Sequence, residues 1–472
     1  MVRFLRTNDP FRIIGLLFIL GICRLPLFIY QIPLSIQELN WMILGEKLSK
    51  GFLLYQDIWE NTAPLSAVTY SLMHLSFGKS QLAYQIIALV FTFGQAMFFN
   101  YICRKNDLFN EKSYLPAAIY LILMHLFFDF FTLSPVLLAA TFLLFAIDNV
   151  LYHIKQETSD TGIFNTGFYI SLASLFYLPC TLFILFPMFA FLLFSRTSFR
   201  QYLVLLIGYG FPTGLTLLFF YWYDIQGAFM TNFVFSYIYL QPESIYAAPV
   251  FMVILIVPLS FVLMAILGLI GSNKHINYQV VCQQLMFFWI ILSLAFFTFS
   301  EKKGAYQLIP AIPAMTFFIT HYLMMVKKKF IAELAFIGLT LSTLYVTYDS
   351  LYGGILEHTI INTNETFVKN YQYDHLLRNA KIVVFGPNHS VFRYNSLATP
   401  YLNWGLAENH FGNLDSYNNV VGIYENFKKD MPDYIIDEEG IAEKVFERIP
   451  QLAEAYELSD YENIYVRKGF KK

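Results

Sequence analysis

The sequence predicts a polytopic helical membrane protein: a bundle of about eleven spanning helices with outer-face juxtamembrane helices and a small C-terminal α/β domain. Three observations predict it. Hydrophobic residues make up 57% of the 472-residue chain and charged residues only 14%, against about a quarter in a soluble domain. Apolar runs near the length that crosses about 30 Å of hydrocarbon recur from residue 13 to residue 349. From about residue 352 charged and polar residues become frequent and apolar runs shorten.

Taken in order, the apolar runs predict spans at roughly 13–31, 82–102, 114–130, 134–153, 163–179, 180–195, 201–222, 249–271, 280–299, 306–326 and 330–349. The pair at 163–195 reads equally as one bent segment broken at Pro179. The first run lacks a small-residue cleavage pattern and reads as an uncleaved span. Residues 66–78 are apolar but short, and are expected to form a helix lying at the outer membrane face. Loop charge sets the orientation. One set of loops, from Arg3, Arg6 and Arg12 through Lys274 to Lys327, Lys328 and Lys329, holds thirteen Lys and Arg; the other holds five, Lys47, Lys50, Lys79, Lys302 and Lys303. The chain is therefore expected in the inner or plasma membrane with a cytoplasmic N-terminus. The 36–65 loop, the 223–248 loop and everything after residue 350 then lie outside.

The expected division is a membrane domain at 1–350, with an outer loop at 36–80, and a soluble extracytoplasmic α/β domain at 351–472. In the latter KIVVFG (381–386), DYIID (433–437) and NIYVR (463–467) read as strands, and VVGIYENFKKD and AEKVFERI as helices. The net charge of −2, without a basic patch, gives no nucleic-acid footprint. Cys23, Cys103, Cys180 and Cys282 lie in or beside apolar runs, without metal-ligand spacing, and read as small buried hydrophobes.

Chemistry concentrates in IQELNWMILGEKLSKGFLLYQDIWENTAPL, residues 36–65. As a helix, 37–50 places Trp41, Leu44 and Leu48 on one face and Glu46, Lys47 and Lys50 roughly opposite, the pattern of a helix lying in the interface. Glu38 opens it, where the helix N-terminus favours a negative charge. A carboxylate there has a bland reading, a helix-start charge, and a sharper one, a general base at the lipid–water boundary.

The run E-x-x-W-x-x-x-G-E-x-L-x-x-G-x-x-x-Y-x-D-I-W-E-x-x-x-P-L resembles the first outer loop of the GT-C superfamily, in its protein mannosyltransferase and aminoarabinose transferase branch. SEKKGAYQLIPAIPA (300–314) resembles that branch's late outer loop, and VVFGP with MPDYIID resembles its C-terminal tails. The resemblance implies a glycosyltransferase that moves a sugar from a polyprenyl-phosphate donor to a glycan, lipid or protein acceptor at the outer face of the cell envelope, among membrane lipids. It implies Lys302 or Lys303 and Tyr306 near the lipid phosphate; because Gln37 holds the position of the family's usual base, either Glu38 takes over that role or the reaction is lost, and Asp57 and Glu60 read as binding sugar or acceptor hydroxyls. Two departures stand out. Gln37 replaces the first acid of the opening pair, and TLSPVLL (132–138) lacks the family's second acid, leaving Asp129 as the nearby carboxylate. No cofactor motif is evident, and the carboxylates neither require nor exclude a divalent metal.

Other residues carry two readings each. Arg24, near the outer end of the first span, forms a structural ion pair or contacts phosphate. His125 and Asp129, one helical turn apart, face the outer cavity, or His125 is a packing residue. Tyr237, Tyr239, Gln241 and Glu243 form an acceptor gate or pack at the interface. His389 and Asp374 fit no nucleophile–base pattern, so the C-terminal domain reads as a binding or lid module. The rival readings for the whole chain are a non-catalytic scaffold or assembly protein on the same fold, supported by Gln37, and, more weakly, a transporter.

Overall fold

The structure is a computed structural model that describes residues 1–7, 9–30, 32–156, 159–240, 242–270, 277–363, 366–369, 377–461 and 463–470. Gln241, Lys274 and Asp374 and the side chain of Tyr239 lie outside the described set. The chain separates into two compact units. One comprises Met1–Ile32, Tyr84–Thr216 and Pro242–Asn364; the other comprises Pro33–Ala83, Leu217–Gln241 and Glu365–Lys472. By its contacts, the outer segment expected to belong to the membrane domain is thus grouped with the C-terminal residues.

Seven helices among the described residues are long and apolar enough to cross a membrane: Gln81–Lys105, Pro135–Gln156, Phe199–Trp222, Ala248–Leu269, Asn277–Phe299, Ala305–Met325 and Lys329–Tyr352. Each lies within a few residues of an expected span. Leu203, Ile207, Phe211 and Leu215 recur every four residues and are all exposed, an apolar stripe that water would penalise and lipid accepts. This is an integral membrane protein.

The remaining expected spans are shorter or broken. Arg12–Tyr30 is one helix of 19 residues. The 163–195 region is a helix to Phe176, an extended residue at Tyr177 and a 3-10 stretch Leu178–Ile184 leading into helix Leu185–Phe194. The break falls two residues before Pro179, which stands in the first turn of the 3-10 stretch. The expected helix at 114–130 is corrected. It runs only from Leu115 to Leu123, Phe127 is extended, and Phe128–Phe131 form a 3-10 turn. His125 and Asp129 therefore do not share a helical face.

In the first unit, helices Asp160–Phe176 and Phe199–Trp222 touch backbone to backbone. A Cβ at Gly167 would lie 2.0 Å from Leu205 O, and one at Gly208 would lie 2.2 Å from Phe164 O. Small residues permit this approach, which suits packing in lipid.

The second unit is built on two helices of the expected outer segment, Ile36–Ser49 and Pro64–Phe77, called the outer helices below. Ser35 caps the first, its Oγ accepting from Glu38 N at 3.1 Å, an S-x-x-E helix start. Trp41 stacks on Tyr70 across the pair with ring centroids 5.7 Å apart. The helix does not lie in the interface with a solvated polar face. Glu46 and Lys47 are buried with its apolar residues. Glu46 takes ion pairs from Lys50 at 2.5 Å and Lys79 at 2.6 Å, and Ser396 Oγ donates to it at 2.5 Å. Lys47 pairs with Asp430, which Lys381 also reaches at 2.9 Å. Lys79, beyond the second helix, donates to Phe392 O and Asn395 O at 3.2 and 2.8 Å. Residues on both sides of Pro64–Phe77 thus bond to the C-terminal residues.

Short strands β1 (Glu243–Ser244) and β2 (Lys302–Lys303) belong to the first unit. The C-terminal sheet has β3 (Lys381–Phe385), β4 (Ser396–Leu397), β5 (Tyr434–Asp437), β6 (Tyr456–Leu458) and β7 (Ile464–Arg467), in the order β4-β3-β5-β7-β6. β3 pairs parallel with β4 and β5, and β7 pairs antiparallel with β5 and β6. Val383, Phe385, Ile435, Phe411, Phe427 and Val445 form its core, and Trp59 of the outer loop packs against that core.

Two predictions follow from packing and charge. Gly208→Ala should lower the melting temperature in detergent, because its methyl meets backbone, whereas Gly210→Ala, with nothing within 4 Å, should leave it unchanged or raised. Equal effects at the two positions would refute the close crossing. Burial pushes the Glu46 carboxyl up, but the Lys79 charge and the hydrogen bonds from Lys50, Lys79 and Ser396 outweigh it and hold the group at about 2. Asp430 is likewise held low: burial opposes ionisation, but Lys47 and Lys381 override it. Lowered carboxylate pKa values give stability that is full above the ordinary carboxylate range and lost as pH falls through it toward the folded values. Melting temperature should therefore drop between about pH 5 and pH 2, with a shallower drop in Glu46→Gln; an unchanged profile would remove Glu46 from the account.

Candidate functional site

Glu38, Asp57 and Glu60 belong to the second unit, and Arg24, Asp129, Lys302, Lys303 and Tyr306 to the first. Each group is built by its own unit.

Glu38 stands in the first turn of Ile36–Ser49 and is 3% exposed. Gln81 Nε2 donates to its Oε2 at 3.1 Å and also reaches Pro33 O at 3.4 Å. The helix start thus fixes the backbone of Glu38, and an amide from the next span orients its carboxylate. A buried, hydrogen-bonded carboxylate can accept a proton from a hydroxyl placed against its other lone pairs. Gln37, its neighbour, is an amide and cannot.

The loop after this helix is held from within. Asp57 Oδ2 accepts from Leu53 N at 3.0 Å, and Asp57 Oδ1 pairs with Lys429 at 2.6 Å. Asp57 thereby closes its own turn and ties it to the helix ending at Lys429. Thr62 Oγ1 donates to Glu60 Oε1 at 3.2 Å. Tyr55 has a φ of 70°, in the left-handed region, and pays for that strain by burying its ring among Phe220, Phe229 and Phe233. Its hydroxyl donates to Thr62 O at 2.8 Å, and Asn232 Nδ2 donates to Tyr55 O at 2.8 Å. Trp59 N donates to Pro400 O, and Asn403 N donates to Trp59 O, at 2.7 and 3.0 Å. His389 is buried, with Nδ1 2.7 Å from Asn40 Oδ1, which gives it a structural partner on the first outer helix.

In the first unit the two lysines occupy β2, in parallel register with β1: Glu243 opposite Lys302 and Ser244 opposite Lys303. Glu243 therefore serves as a strand residue beside the lysines. Asp129 fastens this loop. Tyr246 Oη donates to its Oδ1 at 2.8 Å and Ala305 N donates to its Oδ2 at 3.1 Å. It positions the Lys302–Tyr306 segment with both oxygens. Tyr306 is buried, and its ring covers Gly304 so closely that a Cβ there would sit 2.5 Å from it. Gln307 Nε2 donates to Tyr177 Oη at 2.7 Å and to Lys302 O, and Trp289 Nε1 donates to Pro310 O at 2.7 Å. Two half-buried ammonium groups on a braced loop can bind an anion and offset charge on a leaving phosphate.

Arg24 is buried. Its Nε donates to His125 Nε2 at 3.2 Å, and its guanidinium lies 3.8 Å over the Phe131 ring. The structural ion pair, one of the two readings of Arg24, is not among the contacts of the described residues.

Gln81, Tyr246 and Gln307 were not singled out in the sequence. Gln307 carried a signal: an amide at the entrance of an apolar span is costly unless its hydrogen bonds are met. Gln81 and Tyr246 carried none, because their roles depend on contacts 43 and 117 residues away.

None of the curated proteins matches the chain. Among solved structures, the fold is similar to that of ArnT from Cupriavidus metallidurans bound to undecaprenyl phosphate, with a TM-score of 0.58 at 10% identity over 96% of each chain. It is also similar to ArnT in the apo state, with a TM-score of 0.54 at 10% identity over 92% of this chain and 93% of that one. The chain thus shares the fold of these ArnT structures. Residues 61–352 match a family of unknown function, DUF6427, which spans more than half of the sequence, and the chain belongs to that family.

Proposed function

We propose that this protein transfers a sugar from a polyprenyl-phosphate donor to an acceptor at the outer membrane face, with its N-terminus cytoplasmic. The observation that carries the reading is a buried carboxylate, Glu38, set on a capped helix start and oriented by an amide, in a chain whose fold is shared with a protein that binds undecaprenyl phosphate. Glu38 takes the proton from an acceptor hydroxyl as its oxygen attacks the anomeric carbon. The bond from that carbon to the phosphate oxygen breaks, and Lys302 and Lys303 offset the charge on the departing lipid phosphate. Tyr306 and Asp129 hold the lysine loop in place, and Glu60 with Asp57 shapes the outer loop that receives sugar or acceptor.

A second reading keeps the fold and the lipid but not the reaction: a non-catalytic member that scaffolds envelope assembly. Gln37 favours it, since the resembling enzymes carry an acid there and an amide cannot serve as base. Fold alone does not grant activity.

Purified protein in lipid, supplied with a panel of polyprenyl-phosphate sugars and acceptors, separates the readings. Glu38→Gln should lower turnover by about 10²–10⁴-fold while the melting temperature stays near wild type. Turnover untouched by that change would sink Glu38 as the base. Replacing Lys302 and Lys303 together with Ala should weaken donor binding and cut turnover, with a KM rise that exceeds the fall in kcat if the lysines only dock the donor. Donor binding without turnover for any sugar would favour the scaffold.

A further inference from the structure

The first unit carries an apolar groove of about 880 Å³ between four of its apolar helices. Pockets that hold small organic ligands span about 300–1,000 Å³. Leu193 lines it from helix Leu185–Phe194, Ile266 from Ala248–Leu269, Phe287 from Asn277–Phe299 and Phe318 from Ala305–Met325. Phe318 is 2% exposed and forms the floor; Leu193 and Phe287, 54% and 49% exposed, form the lips. A groove of this composition between membrane helices opens to hydrocarbon rather than to water. Two amides interrupt the apolar lining, Gln283 and Gln284. Gln283 Nε2 is buried and has no hydrogen-bond partner among the described residues, and Gln284 is exposed beside it. Hydrocarbon contains no acceptor, so an amide donor facing it costs free energy until an acceptor arrives.

The two glutamines stand six and seven residues after Asn277, about 9–10 Å along the helix axis. Helical side chains lean toward the N-terminus. Both amides therefore lean toward the membrane face at which this helix starts, where the ester carbonyls of a lipid begin. The same face carries positive charge. Helix Leu185–Phe194 ends two residues before Arg196, and Ala305–Met325 ends two residues before Lys327, Lys328 and Lys329; all four are exposed. A Cβ at Gly268 would lie 2.9 Å from Met325 Cε, so the ends of Ala248–Leu269 and Ala305–Met325 meet beside the lysine run. Asn277 follows Leu269 by eight residues and starts the glutamine helix at that end.

We propose that this groove binds an anionic glycerophospholipid. One acyl chain lies between Leu193 and Phe287 over Phe318, an ester carbonyl accepts from Gln283 and Gln284, and the headgroup phosphate meets Arg196 and the Lys327–Lys329 run. A bare hydrocarbon chain would fill the groove and leave the amides unmet; a chain that carries an ester meets both needs. The sign of the headgroup follows from the four cations at the mouth. The inference goes beyond sugar transfer, since it calls on no donor, acceptor or base and holds equally for a non-catalytic member of the fold.

The test uses the full chain purified in uncharged detergent and stripped of lipid. Retained lipid is counted by native mass spectrometry and melting temperature is measured in parallel. The probes are phosphatidylglycerol with ester-linked chains, its ether-linked analogue, and phosphatidylcholine with ester-linked chains. Wild type should gain melting temperature with the first and retain it about 2–10-fold better than the ether analogue, the worth of one hydrogen bond. Gln283→Leu combined with Gln284→Leu should lose that preference, and its melting temperature without lipid should equal or exceed that of wild type, because an unmet amide is gone. Arg196→Gln combined with Lys327→Gln should lose the preference for phosphatidylglycerol over phosphatidylcholine. The proposal is overturned if wild type does not distinguish ester from ether, if the distinction survives in the double glutamine variant, or if phosphatidylcholine is retained as well as phosphatidylglycerol. It is also overturned if the stripped protein is a dimer that Leu193→Trp separates, which would seat a second copy in the groove. Glu38→Gln should retain lipid as wild type does, so failure of this site and failure of the transfer reaction are read separately.

Discussion

Two adjacent charges, Glu46 and Lys47, are buried on one helix, and the second unit is organised by what they require. A buried charge without a partner costs several kcal/mol, so removing any one partner costs more than the pair itself contributes. Glu46 draws in Lys50, Lys79 and Ser396, while Lys47 draws in Asp430 and through it Lys381. These bonds set the first outer helix against the sheet in one register. The same helix carries Glu38, eight and nine residues ahead of these charges, so the placing of its backbone follows from them. Hydrophobic packing, as in the Trp41–Tyr70 stack, adds area but no direction.

Much of this was legible in the sequence, and the failures have physical causes. The long spans were readable because hydrocarbon admits few polar residues, so composition alone marks them. The three strands of the C-terminal domain with the strongest apolar runs were readable too; Ser396–Leu397 and Tyr456–Leu458 were not, because two or three residues give no periodicity. Periodicity misled at the first outer helix. Its charged residues were placed toward solvent, yet burial there is decided by partners hundreds of residues away. The helix at 114–130 was overextended because Phe-rich sequence is apolar in any conformation; Asp129 bonds Tyr246 and Ala305 from a 3-10 turn instead.

The candidate site shows the same limit. Residue types were readable, since an acid or a lysine pair at an apolar boundary is conspicuous. Roles were not. Asp57 and Asp129 looked alike as lone outer carboxylates, and each has both oxygens engaged in holding a loop. Glu38 differs in that an amide from Gln81 orients it. The fold shared with ArnT is a frame, and any chemistry on that frame rests on individual side chains rather than on the frame itself.

The second unit is assembled from three stretches of chain, Pro33–Ala83, Leu217–Gln241 and Glu365–Lys472. Lys47 and its partner Asp430 are 383 residues apart. During synthesis Glu46 therefore meets Lys50 and Lys79 early, while Lys47 waits for Asp430 through the making of most of the chain. At about 5–20 residues per second that interval lasts tens of seconds. Until Asp430 is made, the Lys47 ammonium lacks the carboxylate that pairs with it in the finished fold.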